Sequence, residues 1–420
     1  HDLDFHHMMD DIILFHFLTN PLKILFVLQS IGFGGSMTSM INLLSLLKNE
    51  ENLDVDVLLM DPYGELYHEL KKNVHILKTD SPLLSVTLPR EKIISNKMYG
   101  LLFRRALICI KAKIHRNSTS IEGYLLSSKL YSNKYDCVIA YQESVATDFA
   151  KYIKASRHIA WVHNDYDNVL KRYHNSNNLN KTYSSYDKIV CVSKAGAQNF
   201  KNKSCLDTEK ITYIYNTLIT DKLIQKSQID IKKILDEDSN YEILNALRGN
   251  ELKLVSSGRF VTQKRFDRLI DTATILKSKG YKFKWFVLGN GELFDDISNM
   301  ITKNELENYV YLTGGLNNPF PIVKMSDVFI LTSDFEAHPM VANEALILGK
   351  PVISTNFESA SEVITDNVNG MICEMSPESI SEKIEKLLND EQFFISLKEN
   401  TESFKYDNDS IIQQFLRIIQ

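Results

Sequence analysis

Short apolar runs alternate with segments of helical periodicity along most of this sequence. The first run, 22–29, is almost continuously apolar and ends in a glycine-rich loop, after which Met37, Ile41, Leu44 and Leu47 recur at helical spacing. This order predicts a strand, a turn and a helix. Similar strand-like runs follow at 55–60, 135–141, 157–162, 188–193 and 211–215. Buried strands that alternate with helices predict a mostly parallel sheet covered on both faces.

The alternation lapses at residue 216, where the chain becomes polar and charged until about residue 250. This change predicts a domain junction at its start. A second series of strand-like runs follows at 252–257, 282–289, 309–314, 327–333, 351–355 and 370–374. We therefore predict an α/β protein of two doubly wound domains. Ligands of such sheets bind beyond the carboxyl ends of the strands, so an interdomain cleft is the expected site.

These patterns set the expected domain boundaries. Residues 1–21 resemble neither a signal peptide nor a core element, and we interpret them as vector-derived, disordered or dispensable. The N-terminal domain is predicted at 22–215 and the C-terminal domain at 216–404, with a last helix at about 405–420 packed back on the first domain. A chain of 420 residues is too long for one ordinary core, which agrees with two domains.

Composition and charge exclude few functions. Hydrophobic residues make up 44% and charged residues 24%, as in globular proteins. The net charge of -5 gives no overall attraction to nucleic acid. The five cysteines are scattered without the spacing of a zinc or redox site, so a reducing cytoplasm is the expected location. The longest N-terminal apolar run, 12–18, is too short to span a bilayer.

Cations and glycines follow two predicted strands of the second domain. Arg259 and Lys264 come after the strand at 252–257 and near the start of a helix. Two cations in that place suit a diphosphate, although a solvated basic loop is the alternative interpretation. Gly289 and Asn290 end the next strand, where glycine permits a close approach of the backbone. An ordinary Asn-Gly turn would also explain them.

Two glutamates eight positions apart flank a predicted helix start. Glu336 lies in the loop after the strand at 327–333, and Glu344 lies in the helix that begins around Pro339. Unpaired backbone N–H groups of Met340 and Val341 are predicted to point toward the same opening. Glu336 could reach a sugar hydroxyl near the phosphates, and Glu344 could accept the hydroxyls of a ribose. A surface charge that compensates the helix dipole is the alternative.

Two features of the first domain complete the candidate chemistry. His163 follows a predicted strand and is bounded by Trp161 and Asp165, so its side chain is expected in the cleft. A structural histidine is the alternative. Gly34 and Gly35 precede a helix N-terminus, which predicts either a second diphosphate platform or a tight strand-to-helix turn.

The motifs of the second half resemble, in order and spacing, those of glycosyltransferase family 4, which are retaining enzymes of the GT-B fold. The motifs are GRFVTQKRFDRLI, GNGEL, SDVFILTSDFEAHPMVANEALILGKPVIS and SASEVITDNVNGMI. The first half is similar, more loosely, to family members that build bacterial capsule or other surface polysaccharides. Its matching segments are ILFVLQSIGFGGSM, YDCVIAY, IAWVHND and YDKIVCVSKAGAQNF.

The resemblance implies transfer of a sugar from a nucleoside diphosphate donor, usually UDP-linked, with no metal or other cofactor. It implies that Arg259 and Lys264 stabilise the departing diphosphate. Glu344 would hold the ribose, Glu336 would contact the donor sugar, and His163 would lie beside the reacting carbon. The remaining donor-binding positions that it implies are Gly34, Gly35, Gly289, Asn290, Gly314, Pro339, Met340 and Val341.

Two segments depart from the family pattern. Ser36-Met37 stand where the family commonly has a small residue and then an acidic one. Ala337 replaces the glycine that usually follows the first glutamate, and His338 replaces an aromatic or aliphatic residue. The extra methyl group of Ala337 crowds the place where donor hydroxyls would approach the backbone, so the donor could differ accordingly.

A basic and apolar segment at 92–121 contains no acidic residue. A helix of this composition could lie on an anionic membrane surface, whereas a core helix with basic flanks is the alternative. Membrane contact would suit a lipid-linked glycan acceptor. The cations expected to make it are Lys97, Arg104, Arg105, Lys111 and Lys113.

Four other functions make different demands on this sequence. A nucleotide-sugar epimerase of the same fold would form product from the donor alone, and a transferase-like binding subunit would form none. A metal-dependent transferase of the other major fold needs an Asp-x-Asp site, but Asp54-Val-Asp56 begins a predicted strand, which favours a structural role. A nicotinamide dehydrogenase is disfavoured because the loop at 31–36 lacks the third fingerprint glycine.

Overall fold

The structure is a computed structural model that divides into two compact units. It describes residues 21–32, 34–79, 84, 85, 87, 88, 90–114, 135–173, 175–235 and 240–420, and of 108–114 it describes the backbone alone. The first unit extends to Thr217 and includes Asn408–Gln420, and the second unit is Leu218–Asp407. The expected boundaries at 215/216 and 404/405 fall slightly before these positions. Of residues 1–21, only Pro21 lies within the described ranges.

The first unit is built on a seven-stranded parallel sheet of order β3-β2-β1-β4-β5-β6-β7. Its strands are β1 (Leu22–Ser30), β2 (Leu53–Asp61), β3 (His75–Leu77), β4 (Tyr135–Ala140), β5 (Ala155–Val162), β6 (Lys188–Cys191) and β7 (Ile211–Tyr213). Its helices are α1 (Gly35–Leu47), α2 (Tyr67–Leu70), α3 (Arg90–Ser95), α4 (Tyr99–Ile114), α5 (Val145–Ala150), α6 (Tyr166–Tyr173), α7 (Ser176–Tyr183), α8 (Lys194–Lys203) and the C-terminal helix Asn408–Ile419.

The centre of this sheet explains its apolar sequence. Ile24 to Leu28 of β1 are fully buried, because helices cover both faces of a parallel sheet. The C-terminal helix contributes to this cover, since the ring of Phe415 stacks on Phe26 at 6.1 Å between centroids. Arg157 of β5 also donates a hydrogen bond of 2.9 Å to the carbonyl oxygen of Ile418.

The second unit is built on a six-stranded parallel sheet of order β10-β9-β8-β11-β12-β13. Its strands are β8 (Leu252–Ser257), β9 (Phe283–Leu288), β10 (Val310–Gly314), β11 (Val328–Leu331), β12 (Val352–Thr355) and β13 (Gly370–Cys373). Its helices are α9 (Thr220–Ser227), α10 (Tyr241–Arg248), α11 (Phe266–Ser278), α12 (Phe294–Lys303), α13 (Phe320–Met325), α14 (Met340–Ile347), α15 (Pro377–Asn389) and α16 (Glu391–Glu402). The order places β8 beside β11, so the loops that follow these two strands are neighbours.

Each predicted strand-like run contains a strand, and the prediction of two doubly wound α/β domains is confirmed. Strand β3 was not predicted. It has three residues at the edge of the first sheet and pairs only with β2, so its sequence needs no continuous apolar run.

Asp54-Val-Asp56 lies within β2 and has a structural environment. The carboxylate of Asp56 accepts hydrogen bonds from His75 Nδ1 at 2.6 Å and from the Tyr135 hydroxyl at 2.9 Å. Across the described ranges, no three His, Cys, Asp or Glu side chains are grouped so that they could hold a metal ion. Within the same ranges, no helix is both long and apolar enough to cross a membrane.

Candidate functional site

The loops that follow β8 and β9 touch each other through glycines. Phe260 N–H donates to the carbonyl oxygen of Asn290 at 3.0 Å. A Cβ on Gly289, whose φ is +134°, would clash with the backbone of Gly258, and one on Gly291 would clash with that of Phe260. The close backbone approach expected at Gly289 therefore occurs between two protein loops, and it sets the position of the basic loop after β8.

Lys264 and Glu336 form an ion pair although they are far apart in sequence. Lys264 Nζ lies 2.6 Å from Glu336 Oε1, and the Ser333 hydroxyl donates to the same oxygen at 2.7 Å. The two charged side chains are only 16% and 11% exposed. The aliphatic part of Lys264 packs against Gly258, where a larger residue would displace it. Two residues predicted to contact different parts of a donor are thus in direct contact.

Arg259 has a different environment from Lys264. Its side chain is exposed, and it forms no hydrogen bond or ion pair with the residues that the structure describes. Its guanidinium donors are therefore unpaired within the described residues. Arg259 and Lys264 were predicted to play the same role. Lys264 already has an ion-pair partner, whereas Arg259 has none among the described residues.

A buried arginine holds the loop that carries Glu336. Arg268, almost fully buried in α11, donates to the carbonyl oxygen of Thr332 and to Asp334, both at 2.6 Å. Arg265, in the left-handed conformation with φ of 51°, donates to Asp334 at 3.1 Å. Arg265, Arg268 and Asp334 were not identified from the sequence. Two arginines three positions apart, at the start of a helix that follows a basic loop, were the available signal.

Helix α14 begins with a tight turn at Pro339. The φ and ψ angles of Pro339, -76° and 80°, are those of an inverse γ-turn, and Met340 N–H donates to the carbonyl oxygen of His338 at 2.8 Å. The prediction that Met340 N–H is unpaired is therefore wrong, because the turn supplies its acceptor. Val341 N–H has no acceptor within the described ranges, as predicted for a helix N-terminus.

Glu344 is a half-buried carboxylate in α14. It has no hydrogen-bond or ion-pair partner among the residues described. Burial raises the pKa of Glu344 from 4.5 to about 7, and the positive charge of Lys226 opposes this shift. A desolvated carboxylate without protein donors is a strong acceptor for the hydroxyl groups of a ligand.

His338 and Gly314 each have a local environment that the structure defines. Burial lowers the pKa of His338 to about 4, so its imidazole is neutral at pH 7. Gly314 ends β10 with a φ of +69°, and its carbonyl oxygen accepts the N–H of Gly289 at 2.9 Å. The left-handed backbone at Gly314 explains the glycine without a ligand.

In the first unit, His163 follows β5 and is held by the loop after β4. Its Nε2 lies 3.1 Å from the carbonyl oxygen of Tyr141, and the two rings are 4.9 Å apart. Because a carbonyl oxygen only accepts, Nε2 is the donor of this hydrogen bond. Glu143 accepts hydrogen bonds from the backbone N–H groups of His163 and Asn164. Sequence reasoning missed Glu143, which no motif marks.

The glycine-rich loop leads directly into α1. Gly34 is the N-cap residue and Gly35 the first helical residue, and the first turn contains no acidic side chain. The carbonyl oxygen of Gly34 accepts from Met37 and Thr38. The N–H groups of Gly35 and Ser36 have no acceptor in the described part of this unit. Unpaired N–H groups at a helix N-terminus can bind an anion, and the diphosphate platform at this loop stays a prediction.

Helix α4 presents an apolar stripe to solvent. Tyr99, Phe103 and Leu107 follow one another at spacings of four, and they are 60%, 70% and 44% exposed. Leu101, on another face, packs against Leu88 and Ile93. The helix is therefore anchored by one face while its larger apolar side chains project outward.

The cations expected around this helix do not all face solvent. Lys97 and Arg104 are exposed. Arg105 instead donates to the carbonyl oxygens of Ser85 and Leu88, so the assignment of Arg105 to an exposed membrane-binding face is wrong. Its guanidinium group supplies donors that these carbonyl groups need. The side chains of Lys111 and Lys113 lie outside the described residues.

This chain is similar in sequence to known glycosyltransferases. Residues 241–404 match the family model of glycosyl transferases group 1. An uncharacterized glycosyltransferase of Methanocaldococcus jannaschii is 28% identical over 326 residues, which cover 74% of this chain and 79% of that protein. The capsular polysaccharide biosynthesis glycosyltransferase CapM of Staphylococcus aureus is 28% identical over 208 residues, which cover 48% of this chain and 52% of CapM.

A solved structure extends the similarity to both units. Anabaena HepE in complex with UDP superposes with a TM-score of 0.68 at 16% sequence identity, over 94% of this chain and 99% of HepE. Such a likeness shows the fold. The two parallel-sheet α/β units of this chain and these similarities show that it has the GT-B fold, and they support a glycosyltransferase activity.

Proposed function

We propose that this protein is a retaining glycosyltransferase of family 4. It moves a sugar from a UDP-linked donor to a glycan or lipid-linked glycan acceptor in surface polysaccharide biosynthesis. The observation that carries the proposal is the arrangement after β8 and β11, in the segment that matches group 1 glycosyl transferases. There Lys264 pairs with Glu336, while Arg259 and Glu344 have no side-chain partner among the described residues.

The cations act on the leaving group. As the bond between the sugar carbon and the diphosphate breaks, its electron pair moves to the phosphate oxygen and negative charge develops there. Arg259 and Lys264 stabilise that charge without reorganising, and Val341 N–H adds the positive end of a helix. These groups supply the charge that a metal ion provides in other transferases, so we propose that the reaction needs no metal.

The two glutamates bind different parts of the donor. Glu344 accepts the ribose hydroxyls, because it is half-buried and has no protein donor in the described residues. Glu336 contacts the donor sugar while its Oε1 remains paired with Lys264 at 2.6 Å. The lysine therefore links the carboxylate that orients the sugar to the phosphate that leaves.

His163 contributes to orientation of the reactants and to stabilisation of charge, and it is not an obligatory base. The acceptor hydroxyl attacks the face that the diphosphate leaves, so the new bond forms with retained configuration. A departing phosphate oxygen takes the hydroxyl proton. The hydrogen bond from Nε2 to the carbonyl oxygen of Tyr141 fixes the orientation of the imidazole.

A panel of nucleotide sugars tests the proposed function. We expect one UDP-sugar to bind and to be hydrolysed slowly, and to give a transferred product of unchanged anomeric configuration with an oligosaccharide or lipid-linked acceptor. Calorimetry measures the binding, and proton NMR measures the product. The rate should be unaffected by EDTA.

Other outcomes of this panel separate the alternatives. A changed sugar configuration without an acceptor would indicate the epimerase. Donor binding with neither hydrolysis nor transfer would indicate the binding subunit. A rate that EDTA abolishes and Mg²⁺ restores would contradict metal independence.

We also propose that α4 touches the inner face of an anionic membrane. Tyr99, Phe103 and Leu107 would enter the interface, with Lys97 and Arg104 on the headgroups. A lipid-linked acceptor is presented at such a surface. The protein would then be cytoplasmic and peripheral on the cell membrane.

Vesicle flotation tests this contact. The wild type should float with vesicles that contain phosphatidylglycerol and not with phosphatidylcholine alone. Arg104→Gln should weaken binding about fivefold, since each cation near an anionic surface contributes about 1 kcal/mol. Phe103→Ser should reduce recovery further. Arg105 is unsuitable for charge reversal because it bonds to two backbone carbonyls. Equal recovery of the wild type and both variants would contradict the proposal.

A further inference from the structure

One carboxylate oxygen organises the turn that carries His163. Oε1 of Glu143, in the loop after β4, accepts the backbone N–H of His163 and, at 2.7 Å, the backbone N–H of Asn164. The side-chain amide of Asn164 lies 3.4 Å from the same oxygen. Two successive N–H groups that follow a buried strand would otherwise need solvent or a different turn.

The same loop holds the imidazole itself. Tyr141 provides the carbonyl acceptor for His163 Nε2 and packs its ring against that of His163. Tyr141 is almost fully buried and stacks on Trp161, so this acceptor is rigid. Glu143 and Tyr141 thus hold the backbone and the ring of His163 from two positions on one short segment.

A half-buried glutamate at position 143 does not by itself favour the stability of the folded protein. Burial raises the pKa of Glu143, and the hydrogen bonds from its own backbone and from His163 and Asn164 only partly oppose that shift. Glu143 forms no ion pair within the described ranges. The half-buried carboxylate of Glu143 therefore depends on the hydrogen bonds that it accepts from the His163–Asn164 turn.

We propose that Glu143 is a positioning residue for His163, because its Oε1 fixes the His163–Asn164 turn and thereby the orientation of the imidazole. The proposal rests on the role of His163 in the proposed function. It assigns to Glu143 no contact with donor or acceptor.

Three substitutions test the role in transfer. Glu143→Ala removes the acceptor, and we expect kcat to fall on the order of 10²-fold, as for other small displacements of a catalytic group, with the KM for the donor unchanged. Glu143→Gln keeps an oxygen in the same place and should recover most of the lost rate. Adding Glu143→Ala to His163→Ala should reduce kcat no further than His163→Ala alone, because Glu143 acts only through His163. Gln142→Ala, in the same loop but bonded toward β1, is the matched control.

Several results would overturn the proposal. If Glu143→Gln is as slow as Glu143→Ala, the charge of Glu143 acts in the reaction directly. If the loss of kcat in the double variant equals the product of the losses in the two single variants, Glu143 acts independently of His163. A rise in donor KM with unchanged kcat would place Glu143 in donor binding.

A second readout does not depend on transfer activity. In protein labelled with ¹³C-histidine, the His163 signal is identified by its loss in His163→Ala. Glu143→Ala should shift that signal, whereas Glu143→Gln should leave it near its wild-type position. An unmoved signal in Glu143→Ala would refute the positioning role even if the wild type transferred no sugar, and the absence of transfer with a shifted signal would count against the proposed function only.

Discussion

Replacing Lys264 with alanine should lower both UDP binding and stability, whereas replacing Arg259 with alanine should lower UDP binding alone. Lys264 is paired with Glu336 at 2.6 Å, and both side chains are mostly buried. Its removal leaves an uncompensated carboxylate. Arg259 is exposed and has no partner among the described residues, so its loss leaves no protein group unsatisfied.

The expected magnitudes are large. Removing one member of a buried ion pair costs about 3 kcal/mol, and we take the lower end of the range because both groups keep some exposure. Loss of one group that stabilises developing charge lowers kcat by about 10²-fold to 10³-fold. Calorimetric titration with UDP measures binding, thermal unfolding measures stability, and initial rates with the donor found by the panel measure kcat.

A paired substitution separates the two effects of Lys264. Lys264→Met with Glu336→Gln removes both charges, so stability should return toward the wild-type value while UDP binding stays weak. Lys203→Ala is the control for removing an exposed ion pair, since the side chains of Lys203 and its partner Asp167 are 42% and 60% exposed. Wild-type UDP affinity in Lys264→Ala would disprove its phosphate role. Unchanged stability would disprove the contribution of the ion pair.

Replacing Glu344 with glutamine should weaken donor binding and at the same time stabilise the protein at pH 8. Burial raises the pKa of Glu344 from 4.5 to about 7. Since the folded-state pKa lies above the unfolded value, the folded protein binds this proton more tightly. Ionisation therefore lowers the free energy of unfolding as pH rises from about 4.5 to about 7. The glutamine variant should be more stable at pH 8 by up to about 3 kcal/mol, and equal to the wild type at pH 4.

Donor binding, unlike stability, should favour the ionised form of Glu344. Hydrogen bonds to a charged acceptor contribute about 1.5–3 kcal/mol, so the variant should bind a UDP-sugar about tenfold to a hundredfold more weakly. Wild-type affinity should decrease as pH falls from 8 to 6, because protonation removes the charged acceptor. The variant should lack this dependence. A UDP-sugar is the suitable ligand because its diphosphate, unlike that of free UDP, has no ionisation near neutral pH.

The outcome depends on comparing the two measurements. Calorimetric titration at pH 6, 7 and 8 gives the affinity, and chemical denaturation at pH 4 and 8 gives the stability. Equal donor affinity in both proteins at pH 8 would show that Glu344 does not bind the ribose. A variant less stable than the wild type at pH 8 would show that a donor within the protein already satisfies the carboxylate.

The pattern of apolar residues was sufficient to predict the fold class. Parallel strands covered on both faces require contiguous apolar residues, as in Ile24 to Leu28, and such runs are visible in a sequence. Edge strand β3 was missed since it has only three residues and one neighbour. The family-like motifs in turn indicated which residue types follow the strands of the second unit.

The contacts of those residues came only from the tertiary structure. Lys264 and Glu336 are 72 positions apart, and their pairing arises because β8 and β11 are adjacent in the sheet. The same applies to Arg105, whose charge was visible in the sequence while its carbonyl acceptors were not. Glu143 carries no motif, and its role follows from the adjacency of β4 and β5.

The sequence by itself determined the order of strands and helices along the chain and the chemical types at the strand ends, because periodicity and residue type are local properties. The tertiary structure decided which charges are paired, as for Lys264, and which remain available to a ligand, as for Arg259 and Glu344. The reason is that burial and hydrogen-bond partners depend on neighbours in space, and parallel strands bring together residues that are distant in the chain.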